Sequence, residues 1–146
     1  MALSAQQVAE MSAEAMWAKD SASKWLGMKL DAVGPGTAIG SMTVEKHHTN
    51  GHDICHGGYI FTLADSAFAF ACNSYNRLVV AQHNSIPFVA PGKLGDRLTA
   101  TCREVARYGR SGIYDVKVTN QKGALIAEFR GVSRTIEGKH FDGEQL

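Results

Sequence analysis

The strongest constraint on this 146-residue chain is a run that opens with Gly57-Gly58 and continues Tyr59-Ile-Phe-Thr-Leu-Ala-Asp-Ser-Ala-Phe-Ala-Phe-Ala-Cys72. Its residues are apolar almost all the way round a helix. A helix of that kind must be wrapped by other structure rather than lie on a surface. Its polar positions, Gly58, Thr62, Asp65, Ser66 and Asn73, share one stripe at helical spacing. That stripe has to meet a partner surface or a cleft.

The glycine pair matters because the first N–H groups of a helix lack intrahelical acceptors and carry partial positive charge. They are suited to stabilising an oxyanion. Asp65 has Phe61, Thr62, Phe68 and Ala69 as its neighbours at helical spacing, so no Lys or Arg on its own helix neutralises it. Burying an unpaired carboxylate raises its pKa toward the range useful for proton transfer. The competing reading is an Asp that only hydrogen-bonds across an interface or is paired by a cation from elsewhere in the fold.

The sequence around this helix alternates as strands do. Met28 to Val33 and Thr37 to Val44 flank a Gly34-Pro35-Gly36 turn; after the helix come Leu78 to Val89, Arg97 to Val105, Ile113 to Thr119 and Leu125 to Arg134. Tyr114, Val116 and Val118 make one apolar face, and Asp115 and Lys117 the other. Upstream, Ser4 is placed to cap a helix to about Lys19, and Ser21 to Leu26 adds a turn closed by Gly27. Two strands, one enclosed helix and four strands give an α+β fold in which a curved antiparallel sheet wraps the helix. The expected division is a helical lead-in over 1–27, a main domain over 28–137 and a polar, flexible tail over 138–146.

Composition excludes several classes. A formal net charge of +1 with interspersed signs provides no footprint for nucleic acid. Cys55, Cys72 and Cys102 form no Cys-x-x-Cys pair, which suits free thiols in a reducing, cytoplasmic setting. No secretory leader is visible, and the long apolar run is shorter than a membrane span and interrupted by Asp65 and Ser66.

The run Asn50-Gly-His-Asp-Ile-Cys-His-Gly-Gly-Tyr-Ile-Phe-Thr-Leu-Ala-Asp-Ser-Ala-Phe-Ala-Phe-Ala-Cys-Asn73 closely resembles the hotdog-fold acyl-CoA thioesterases of phenylacetic acid degradation, the PaaI type. The likeness continues through Phe88-Val-Ala-Pro-Gly, Gly95-Asp-Arg-Leu-Thr-Ala, Gly112-Ile-Tyr-Asp and Phe129-Arg-Gly. It implies a hotdog fold and subunits that join their sheets into a dimer, with dimers pairing into tetramers. It also implies that Asp65 is the catalytic carboxylate, that the Gly57 amide polarises the thioester carbonyl, and that Asn50 and His56 order water or substrate. Substrate contacts are expected at Gly58 and at the loops Pro91-Gly92-Lys93 and Gly109-Arg110-Ser111, where the phosphates of coenzyme A would lie. The coenzyme is part of the substrate, and no separate cofactor or metal is implied. Gln82 and Ala90 stand where many relatives carry a Ser or Thr and an Arg, and Pro87 interrupts a strand. These departures bear on the choice of acyl group.

Spacing adds a reading independent of the resemblance. Gly57 and Asp65 are eight residues apart, about 12 Å along a helix, whereas donor and attacking group must each lie about 3 Å from one carbonyl. Each active site is therefore expected to take Gly57 from one subunit and Asp65 from another. Three other readings compete. His48, His52 and His56 at intervals of four would align for Zn²⁺ on a helix, but Gly51 and the Gly57-Gly58 pair argue against one there. The same fold could host an acyl-CoA hydratase using His56 and Asp65 as an acid/base pair, or a non-catalytic acyl-CoA sensor.

Overall fold

The structure, a computed structural model, describes residues 2–143. Helix α1 (Ala5–Lys19) begins with a capping box: Gln7 N–H donates to Ser4 Oγ at 3.1 Å, and Ser4 N–H to Gln7 Oε1 at 2.9 Å. Helix α2 (Ser21–Leu26) is capped by Asp20 and ends on Gly27 at φ 83°, a left-handed conformation that glycine adopts without penalty. Strands β1 (Lys29–Gly34) and β2 (Thr37–Thr43) precede a 3-10 turn (Lys46–His48), and α3 runs from Gly57 to Cys72. Then follow β3 (Val79–Ser85), β4 (Arg97–Tyr108), β5 (Ser111–Thr119) and β6 (Leu125–Thr135).

All neighbouring strands pair antiparallel in the order β1-β2-β4-β5-β6-β3. Helix α3 packs across one face of this sheet, chiefly on β2, β4 and β5, as the apolar circumference of the run requires. Leu63, Ala64, Ala67 and Phe68 share a buried cluster with Met42, Leu98, Ala100, Val116, Val118 and Phe129. The small residues let helix and sheet approach closely. On β6, a Cβ at Gly131 would sit 2.8 Å from the Phe68 ring, so only glycine fits beneath it. Phe68 also meets Tyr114 and Phe129 at centroid distances of 5.6 and 5.7 Å, the separation at which aromatic pairs attract beyond simple burial.

Several strand limits differ from those expected. β3 stops at Ser85 instead of reaching Val89, because Pro87 has no N–H to donate. The chain nevertheless stays beside β6: Pro87 O accepts from Glu128 N at 3.1 Å, and Val89 N donates to Ile126 O at 2.8 Å. β4 and β5 run three and two residues further toward each other, leaving Gly109 (φ 57°) and Arg110 as the hairpin tip.

The described part of the expected tail makes hydrogen bonds to the main domain. Leu78 N donates to Gly138 O, His140 N and Phe141 N donate to Asn76 Oδ1, and His140 Nε2 lies 2.8 Å from Asn73 Oδ1. Residues 144–146 of that expected tail lie outside the described residues.

The two sheet edges are unlike. Edge strand β1 is flanked by α1, whose Gln6 Nε2 donates to Val33 O at 2.8 Å. Edge strand β3 exposes Val80, Ala81, Gln82 and His83. Among the described residues, no helix is long and apolar enough to cross a membrane.

Candidate active site

The start of α3 is built by the preceding loop. Thr49 and Cys55 form a bridge, His56 N donates to His48 O at 2.8 Å, and Asn50 Oδ1 accepts from His52 N at 2.9 Å in a side-chain-closed turn. His56 is the N-cap, and its Nδ1 accepts from Gly58 N at 2.9 Å. That bond leaves Nε2 as the ring's other polar atom, on an exposed side chain. Gly57 N has no acceptor among the described residues. Of the two glycine amides at this helix start, one is therefore consumed by the cap and one is open.

The Phe88 ring lies over Gly57. A Cβ at Gly57 would stand 3.0 to 3.4 Å from three of its ring carbons. Phe88 is itself 52% exposed, so it forms a wall beside the open amide. The Pro91-Gly92-Lys93 loop lies at the same end of α3: Cys55 N donates to Gly92 O at 2.6 Å, and Ile54 bridges Lys93.

Asp65 lies two turns further along the helix and is half-buried. Burial pushes its carboxyl above the usual carboxylate range, and a hydrogen bond from Asn84 partly offsets this. The Asn84 Nδ2 to Asp65 Oδ1 distance is 3.2 Å. The other polar positions of the stripe find separate partners. Thr62 donates to Gly58 O, Ser66 meets Ser23 at 2.8 Å, and Asn73 binds both the N–H and the carbonyl of Val79. Asp65 is the acid of the set, and its partner is a neutral amide.

The structure thus gathers Asn50, His56, Gly57, Gly58 and the Pro91-Gly92-Lys93 loop at the N-terminal end of α3. It does not bring Gly109-Arg110-Ser111 there. Gly109 and Ser111 line a cleft of about 250 Å³ with Cys72, Tyr75 and Arg77, at the C-terminal end. A larger cleft of about 600 Å³ between α1 and β1, lined by Glu10, Glu14 and Asp31, includes neither Gly57 nor Asp65 in its lining. Asn84 and Phe88 were absent from the expected site. Phe88 belongs to the Phe88-Val-Ala-Pro-Gly run and was legible there; Asn84 carried no comparable signal.

The fold gives the loop's three histidines and its thiol different surroundings. The three histidines occupy a 3-10 helix, an exposed turn and an N-cap instead of one helix. His48 is buried, with Nδ1 accepting from Glu45 N and Nε2 2.9 Å from Leu26 O, and burial lowers its pKa. Both of its nitrogens are engaged in the fold. Among the described residues, no three His, Cys, Asp or Glu side chains are grouped to hold a metal ion. Cys55 is a buried free thiol pushed up to about 11 by desolvation, which makes it a poor nucleophile.

Comparison with known proteins places this arrangement. Residues 52–127 match the thioesterase superfamily model. The chain is 43% identical over 126 residues to the acyl-coenzyme A thioesterase PaaI of Escherichia coli K12, spanning 86% of this chain and 90% of that protein. The solved E. coli PaaI structure superposes with a TM-score of 0.91 at 41% identity, covering 93% of this chain and 99% of that one. A Streptococcus mutans UA159 protein, smu.793, solved bound to acetyl CoA, aligns with a TM-score of 0.73 at 30% identity over 77% of this chain and 90% of its own. These findings take hydrolysis over the hydratase and sensor readings. The chain belongs to the thioesterase superfamily and is a hotdog-fold thioesterase of the PaaI type.

Proposed function

We propose that this enzyme hydrolyses phenylacetyl-CoA or a ring-hydroxylated derivative to the free acid and coenzyme A, at sites shared between two subunits. The observation that carries the reading is one helix bearing both an open N-terminal amide, Gly57 N, and a half-buried acid with no cation on its own helix, Asp65. In this reading the thioester oxygen is held by Gly57 N–H with the helix dipole behind it. Asp65 acts at the carbonyl carbon, either by taking a proton from water or by direct attack. His56 and Asn50 order the groups around the amide.

The separation of the two groups along α3 supports a site in which each comes from a different subunit. The exposed edge of β3 supports the dimer, since an unpaired strand edge is a template for another strand. The acyl group is read as aryl from the E. coli relative, a protein of the phenylacetic acid degradation operon, and from Phe88 flanking Gly57. Lys93 at one end of α3 and Arg110 at the other supply cations for the coenzyme A phosphates. Three buried free cysteines suit the reducing cytoplasm.

The test is release of coenzyme A from phenylacetyl-CoA, read with a thiol reagent, for the native protein and Asp65→Asn. The native protein turns over, and the variant loses about 10² to 10⁴ in kcat while keeping its fold and size. Near-native turnover by the folded variant contradicts the assignment.

A further inference from the structure

Strand β3 contains an irregularity that controls what reaches Asp65. Its register with β6 steps from Ala81–Ser133 to His83–Val132, so Gln82 is an extra residue in a β-bulge. Side chains alternate faces along a strand, and one inserted residue inverts the alternation beyond it. Before the bulge Val79 faces the core; after it Asn84 and Ile86 turn inward while His83 and Ser85 are exposed. Were Gln82 paired regularly with Val132 instead of bulged, His83 would take the place opposite Gly131 and Asn84 would face away from α3. Bulges near active sites commonly re-aim a side chain in this manner.

The side chain so aimed contributes little to the fold. Asn84 Nδ2 makes one hydrogen bond, to Asp65 Oδ1, and Asn84 Oδ1 is buried without a partner among the described residues. A buried acceptor left unsatisfied destabilises the folded state, so an apolar residue would pack here more favourably. The amide is explained by what it does to the carboxylate. We propose that Asn84 is a positioning residue for Asp65: its N–H anchors Oδ1 and favours the ionised form, leaving Oδ2 as the oxygen that acts on the substrate.

Among the described residues, the surroundings provide no alternative anchor. On α3, Cys72 interacts electrostatically with Asp65, but burial pushes its thiol up to about 12, so it stays neutral. On α2, Ser23 is bonded to Asp20 and Ser66. On β3, His83 is exposed beside Asn84, and across the pair β6 presents Gly131. The nearby Arg130 is held by Asp115, with Nε 2.7 Å from Oδ1. Asn84 is the group that counters the effect of burial on the Asp65 carboxyl.

This inference rests on Asp65 being the catalytic carboxylate, and the test separates the two. The pH dependence of kcat/KM with phenylacetyl-CoA is measured for the native protein, Asn84→Ala, Asn84→Asp and Asp65→Asn, with oligomeric state and thermal unfolding alongside. A base must be ionised, so activity falls as pH drops through its pKa; removing a donor that favours ionisation moves that limb to higher pH. Asn84→Ala is expected to lose about 10²-fold in kcat through misplacement of the base, with KM little changed and the acidic limb moved upward. Asn84→Asp, nearly isosteric, moves the limb further by placing like charges together. An inert Asp65→Asn beside an Asn84→Ala with native kcat and an unmoved limb overturns the positioning role alone. An active Asp65→Asn overturns the assignment of Asp65 and this inference with it. Should Asn84→Ala fail to fold, a native limb in Asn84→Asp is equally decisive against the role.

Discussion

The two ends of α3 are made of similar residues and are finished differently. At the C-terminal end, Asn73 donates to Ala69 O and Val79 O, accepts from Val79 N, and lies 2.8 Å from His140 Nε2. That end is closed by the next strand and by the tail. At the N-terminal end the His56 cap satisfies Gly58 N and leaves Gly57 N open beneath the edge of Phe88. A helix end serving only stability would be expected to have its amides capped or solvated. The contrast is between an end closed by protein groups and an end that leaves one amide without a protein acceptor among the described residues.

The sharpest way to break this contrast is to delete the open donor without disturbing the helix. Gly57 is the first helical residue after the cap, the position at which proline is best tolerated, and His56 at φ −59° and ψ 132° already has the backbone a following proline favours. Gly57→Pro is therefore expected to fold and to lose about 10² to 10³ in kcat, the effect of removing one oxyanion donor. Gly57→Ala adds a Cβ that also meets the Phe88 ring but keeps the N–H. Its loss should be much smaller. Equal losses in the two variants, read by steady-state turnover, would attribute the effect to Phe88 crowding instead of the amide.

At the closed end the reverse is expected. Asn73→Ala leaves both Val79 backbone groups without their side-chain partner and removes one of the two partners of His140 Nε2, for a loss of about 1 to 3 kcal/mol in unfolding free energy. Denaturant unfolding measures this, with kcat for the folded protein unchanged. A large fall in kcat at full folding would show that the two ends are not functionally separate.

The enclosed helix, its acid and its glycine start were legible because each is local. Periodicity marks the helix, and Gly-Gly marks its beginning. The Ser4 cap and the Gly27 stop were readable for the same reason, since both act within a few residues of themselves. Pro87 is foreign to a strand, yet the alternating pattern of Ile86 and Phe88 runs on to Val89 and outlasts the ladder, which ends at Ser85. Asn84 was not readable at all. Its contact with Asp65 depends on a bulge, and a bulge is a property of how β3 and β6 register. The contacts of the tail were not readable for a related reason: a polar composition does not reveal that Asn76, far away in sequence, accepts from His140 N and Phe141 N.

The central claim is that Gly57 and Asp65 of one chain serve different sites, and subunit mixing tests it most directly. Gly57→Pro and Asp65→Asn proteins, each inactive alone, are mixed, unfolded and refolded together, and thioester hydrolysis is measured. If sites are shared across a two-fold dimer, each mixed dimer regains one intact site, and random pairing restores about a quarter of native activity. If both groups act within one chain, every site in the mixture carries a defect. Activity remaining at the level of the separate variants, in mixtures shown to contain mixed dimers, would contradict the account.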